Sequence, residues 1–357
     1  FFAYTSILEA VLKLLIIYLL LVVSYDKLIL YALLMLTVQV FVRFLYTVYC
    51  KRHFEECNSG RTYDKAVTKD ILSFAGWSFL GNFGITCRDQ VTNILFNVFF
   101  QTPVVNAARG IATQVSGIIS TFATNITMAI NPQITKNYSS GNIKESVSLV
   151  YMGCRASFYM LTLIVVPFVV NVDYVLELWL ERVPENTSLF LYFILGVALI
   201  YSLSQPITVA IQATGDIKAF QIWIFSLMVL EVCLTYLVLW ITGSLVYALV
   251  PSVVVNFIST AVRMALVKKK VGAYSFRQYA FDVVFRCVMV LLISCVVAIY
   301  IHYMIGYESF VAFLGECVVL AVSTIVIILL FGLKRDERLQ LVSKLTMSVK
   351  RLNGRRV

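Results

Sequence analysis

Apolar residues along this chain fall in long unbroken stretches, not in alternation with polar ones. Ten stretches reach membrane-spanning length: about 3–24, 28–50, 70–97, 104–130, 147–172, 187–213, 218–241, 244–268, 281–305 and 309–333. A helical crossing of a bilayer takes about 20 apolar residues. Lipid offers backbone amides no partner, so a crossing segment must be a helix or belong to a closed barrel. Barrel strands alternate lipid-facing and lumen-facing residues, and these runs do not. The pattern predicts an all-α polytopic membrane helical bundle of about ten transmembrane helices.

Composition points the same way. Of 357 residues, 60% are hydrophobic and 13% charged, against roughly 45–50% and about 25% in soluble domains. The mean hydropathy is +0.87.

The net charge of +10 changes the picture only through its distribution. When the connections are taken alternately, one set together with the C-terminal tail holds 20 of the 29 Lys and Arg residues. The opposite set holds two, Lys27 and Arg182. Such a bias marks the richer side as cytoplasmic. The expected arrangement is therefore multi-pass in an inner membrane, with the C-terminus on the cytoplasmic side, and the positive charge calls for no nucleic-acid partner. The longest outer loop, Asp173 to Thr187, is short and acidic, so no extramembrane domain is expected. From Lys334 onward, Val342, Leu345, Val349 and Leu352 recur at helical spacing between basic residues. This reads as an amphipathic helix on the anionic inner leaflet, the alternative being a solvated tail. The chain opens with Phe1 and directly with a span, without a signal peptide, which reads as an amino-terminally incomplete chain.

Polar residues inside the spans carry the candidate chemistry. A charged group at mid-span costs at least roughly 2.5–3.5 kcal/mol on insertion scales. In the third span Ser78, Asn82, Thr86, Asp89, Asn93 and Asn97 follow helical spacing and gather within roughly a 100° arc. Arg88 flanks Asp89, pointing further off the stripe. The fourth span has a matching face of Asn106, Gly110, Gln114, Gly117, Thr121, Thr124 and Asn125, with Arg109 and Asn131 at its ends. Elsewhere stand Arg155, Gln205, Gln212 and Glu231, and in the first span Glu9 and Lys13, which neutralise each other at one-turn spacing.

Small positions in these faces serve close helix approach. Arg88, Asp89 and Arg155 read instead as a hydrated cavity for a polar substrate. The alternative for the charges is an Arg88–Glu231 or Arg88–Asp89 ion pair that only holds helices together.

Enzyme chemistry is not indicated. The eight cysteines are single, which reads as free thiols used as small hydrophobes, with no CxxC metal or disulfide framework. Only two histidines occur, His53 and His302. There is no P-loop, no GxSxG and no candidate triad, so neither a cofactor nor a metal is expected, and any transport would draw on a gradient.

At the third and fourth spans the text becomes specific. It runs Phe74-Ala-Gly-Trp77-Ser-Phe-Leu-Gly81, then Asn97-Val-Phe-Phe, then Asn106-Ala-Ala-Arg-Gly-Ile-Ala-Thr-Gln114-Val, and ends Asn131-Pro132-Gln133-Ile-Thr-Lys136-Asn-Tyr138. Leu178-Trp179-Leu180 and Ala213-Thr214-Gly215-Asp216-Ile217-Lys218 add to it. These stretches resemble the polysaccharide-biosynthesis, O-antigen (Wzx-type) flippases of the MATE-like multidrug and oligosaccharidyl-lipid exporter superfamily.

The resemblance implies two six-helix lobes in a V around a central cavity. It would make residues 1–69 a remnant of the amino-terminal lobe, with four helices missing, and 70–270 the carboxy-terminal lobe. Residues 271–333 would be two extra helices and 334–357 the basic tail. It also implies flipping of an undecaprenyl-diphosphate-linked oligosaccharide between leaflets by alternating access, with polysaccharide polymerase and chain-length proteins as partners. Arg88 and Arg155 would hold the diphosphate, and Asn82, Asn93, Asn97, Gln114 and Asn125 would line the sugar path. The runner-up is a cation-coupled multidrug exporter using Asp89 and Glu231. A membrane glycosyltransferase or polymerase would need a larger outer loop than this chain offers.

Overall fold

The structure, a computed structural model, describes residues 1–22, 26–57, 64–305, 310–334 and 337–338. The tail helix expected around Val342–Leu352 lies outside the described residues. Among the described residues the ten apolar runs are largely helical and there is no strand. The chain is an all-α polytopic membrane protein. Seven helical rods are long and apolar enough to cross a membrane by length and composition alone.

The first compact unit is Phe1–Asp70. Its helices α1 (Phe2–Val22) and α2 (Lys27–His53) form a hairpin. Asp26 caps α2, its carboxylate accepting from the Leu28 and Ile29 amides at 2.9 and 3.4 Å. Ile16, Val38 and Val42 are the small buried core. Glu9 pairs with Lys13 at 2.6 Å and accepts from Gln39 at 3.0 Å, so the two charges of α1 do neutralise each other.

The second unit runs from Ile71 onward. It contains most of α3 (Lys65–Phe100), then α4 (Pro103–Ser139), α5 (Ile143–Val170), α6 (Val172–Trp179), α7 (Thr187–Ser202) and α8 (Gln205–Ala213). There follow α9 (Lys218–Thr242), α10 (Leu245–Lys270), α11 (Phe276–Tyr279), α12 (Arg286–Ile305) and α13 (Phe310–Ile327). Ala280–Phe285 and Ile328–Gly332 are π-helical. Gly243, at φ 59°, ends α9 in the left-handed turn that frees α10 to run back.

Three runs differ from what the pattern predicts. At 36 and 37 residues, α3 and α4 extend well past their apolar runs. Run 187–213 is broken at Leu203–Ser204 into α7 and α8. Pro206, in the first turn of α8, has no N–H to give, so the α7 ladder cannot continue through it.

On α4 the buried positions Ala108, Ala112, Val115, Ile119 and Ala123 repeat at helical spacing, and they pack into the core with Phe190, Ile207 and Met264. The polar positions of α3 and α4 are thereby left on the remaining faces. All eight cysteines are free, but only Cys154 and Cys287 are buried. Cys57 and Cys233 are exposed, so packing accounts for the first two alone.

Candidate functional site

The polar stripe of α3 and the apolar face of α4 bring four opposite charges together inside the second unit. Arg88 on α3 places Nη2 3.0 Å and Nε 3.2 Å from the Asp89 carboxylate. Its Nη1 is 3.5 Å from Glu231 Oε2 on α9. Arg109 on α4 sits 3.6 Å from the same Asp89 oxygen, donates to the Asp89 backbone carbonyl at 3.2 Å and to the Asn93 side chain, and lies over the Phe96 ring. Two guanidiniums and two carboxylates give a formally neutral cluster.

Both ion pairs named as structural alternatives for Arg88 are therefore present. At 3.5 Å the Arg88–Glu231 attraction is about 5 kcal/mol at an effective dielectric near 20, before either group's desolvation is charged against it.

Two cavities meet at this cluster. One of about 460 Å³ extends from Arg88 and Glu231 past Asn82, Gln221, Gln212, Asn256 and Ser259 to Arg263. A second, of about 330 Å³, extends the other way past Thr92, Phe96, Thr235 and Leu249. Both are lined by Arg88, Ser116, Glu231 and Asn256, so the ion pair stands between them. A third, open niche of about 310 Å³ is formed by Asp89, Asn93, Asn106, Arg109, Gly110 and Thr113, with no apolar side chain beyond the threonine methyl.

Two glycines of α3 face α9 at close range. A Cβ on Gly81 would lie 2.0 Å from Gln221 Oε1, and one on Gly84 would lie 2.8 Å from the Phe225 ring.

The predicted site residues divide into three groups. Arg88, Asp89, Asn93 and Glu231 come together, and Asn82 borders the larger cavity. Asn97, Gln114 and Asn125 are exposed on α3 and α4, and line none of these three cavities.

Arg155 goes elsewhere. It is buried in α5, ion-paired with Glu337 and donating to the Asp282 carbonyl at 3.3 Å. It borders a separate pocket with Lys144, Tyr151, Gln278 and Lys334. Sequence spacing places Arg155 at the same depth as other polar residues, but its azimuth on α5 turns it away from α3.

Two site residues escaped the sequence reading. Arg109 was taken only as the end of a span, although it follows Asn106 by less than a turn on the same polar face. Arg263 lies on α10 ahead of its Lys268–Lys270 end. Its signal was an arginine between apolar residues more than a turn before that basic end.

The fold and the charge-lined cavities define a helical membrane protein with a polar interior, the architecture of a transporter. Residues 66–237, from α3 to α9, match the MatE family model. The matched segment contains Arg88, Asp89, Arg109 and Glu231, and it supports a MATE-like membrane transporter. No curated protein and no solved structure matches the chain.

Proposed function

We propose that the chain translocates an undecaprenyl-diphosphate-linked oligosaccharide from the cytoplasmic to the periplasmic leaflet of a bacterial inner membrane. The observation that carries this reading is Asp89, shared by Arg88 and Arg109 and with 43% of its side chain exposed. A diphosphate competes for both guanidiniums through charge-assisted, bidentate hydrogen bonds. Asp89 serves as the place-holding anion while the site is empty. Asn93, Asn106 and the exposed amides Asn82, Asn97, Gln114 and Asn125 suit the hydroxyls of a glycan. The prenyl tail stays in lipid. In this reading the second head-group cation is Arg109, not Arg155.

The test is flipping of a fluorescent lipid-linked oligosaccharide in proteoliposomes. Arg88→Ala and Arg109→Ala are expected to abolish it, with Arg88→Lys retaining part. Full activity in either alanine variant would sink the proposal.

A cation-coupled multidrug exporter is the second reading, favoured by Glu231 bordering both internal cavities. Organic-cation efflux that collapses with the ion gradient and with Glu231→Gln would select it.

A further inference from the structure

We propose that the larger cavity holds a second, internal anion site centred on Arg263, for a singly charged oxyanion (carboxylate or phosphate) on a hydroxyl-bearing molecule. It is separate from the Arg88–Arg109 face and does not depend on what that face carries.

Arg263 is 6% exposed. Among the described residues it has no carboxylate within ion-pair distance. Its single hydrogen bond runs from Nη1 to Ser204 Oγ at 2.8 Å, and its Nε is buried without a partner. Its guanidinium carbon lies 5.1 Å from the centre of the Tyr201 ring. A buried cation is normally paired, because desolvation is costly, and cation–π contact with a ring that is itself half exposed replaces little of that. Arg263 lies within the apolar part of α10, yet it points into the bundle and not toward the basic Lys268–Lys270 end.

The residue it holds sits at the break between α7 and α8. Carbonyls freed at a helix break could themselves have served as the counter-charge. Here they are taken by hydroxyls: Ser202 donates to Leu199 at 2.7 Å, Ser204 to Tyr201 at 3.2 Å and Tyr279 to Leu203 at 2.9 Å. Interrupted membrane helices commonly border ligand sites, for the same reason that irregular backbone persists only where it lines a cavity.

The charged groups that border this cavity are Arg88, Glu231 and Arg263. Glu231 is taken by Arg88, which leaves one positive charge over. A single anion balances it. At about 460 Å³ the space far exceeds one ion, and it falls within the usual range for small-molecule sites. Gln212, Gln221, Asn256 and Ser259 line the remainder, a set suited to hydroxyls. A guanidinium fork with a free Nε matches two oxygens of a carboxylate or phosphate.

The experiment is thermal unfolding of the full chain in phosphatidylcholine nanodiscs, titrated with sodium glucuronate or sodium phosphate against sodium chloride at equal ionic strength. The expected result is an oxyanion-dependent rise in the midpoint, with affinity reduced about tenfold or more in Arg263→Gln and retained in part in Arg263→Lys. If Arg263→Gln does not fold, Ser259→Phe fills the cavity while leaving Arg263 in place, and it should lose the response. A rise seen only in phosphatidylglycerol nanodiscs, and lost in the same variants, assigns the oxyanion to a lipid head group. Equal shifts with chloride, or no shift with any soluble anion or anionic lipid, overturn the proposal.

Discussion

Arg88 and Glu231 lie 3.5 Å apart across the α3–α9 interface, at the point where the two internal cavities of the second unit meet. The contact joins two helices that also meet where Gly81 faces Gln221 and Gly84 faces Phe225. Both residues border both cavities.

Removing one member should cost more than removing both. Glu231→Leu leaves Arg88 with Asp89 alone and is expected to lower stability by about 2–4 kcal/mol, less than a fully dry pair because Arg88 keeps 25% of its side chain exposed. Arg88→Met combined with Glu231→Leu should recover part of that loss. Chemical denaturation of the three variants in detergent reads the coupling, and strictly additive losses would show that the pair contributes nothing.

Gly84 lets the Phe225 ring and the Met228 sulfur approach α3, at 2.8 and 3.0 Å from where a Cβ would sit. Gly84→Ala is expected to push α9 outward and cost about 1–3 kcal/mol. Gly81→Ala should cost less, because its nearest clash is the flexible end of Gln221. Comparing the two midpoints of thermal unfolding tests the order.

Arg155 supports the fold in this structure. With the Glu337 carboxylate and the Asp282 carbonyl as its partners, Arg155→Met strands two acceptors and should destabilise the protein by about 1–3 kcal/mol. Cargo affinity per folded molecule should stay unchanged. A selective loss of cargo binding, at unaltered stability, would return Arg155 to the transport path.

Asp216, in the turn between α8 and α9, is held below the usual carboxylate range by its hydrogen bond to Lys270, 2.7 Å away. A depressed folded-state pKa gives stability that is present above the unfolded carboxylate value and lost as pH falls through the folded one. The effect is small, since 71% of the carboxylate side chain is exposed and screened. Asp216→Asn should lower stability slightly at neutral pH, leave it unchanged at low pH, and so flatten the acid limb of a stability-against-pH curve.

Helix positions were readable because lipid imposes one local rule on every crossing segment. The polar stripes of α3 and α4 were readable for the same reason, since any departure from that rule stands out. Position around a helix was less so. The spacing puts Asp89 on the stripe and Arg88 beside it, but only α9 arriving with Glu231 decides that Arg88 turns inward. The break between α7 and α8 was marked by Pro206, though the apolar run passes through it unaltered.

The sequence by itself determined that this chain is a bundle of apolar helices with charges buried in a few of them, because hydrophobicity and helical period act within one segment. The tertiary structure alone decided which charges meet. It paired Arg88 and Arg109 with Asp89, sent Arg155 to Glu337, and left Arg263 on a hydroxyl with no carboxylate among the described residues. Ion pairing depends on the azimuth and depth of two helices at once, and those are set by packing between residues far apart in the chain.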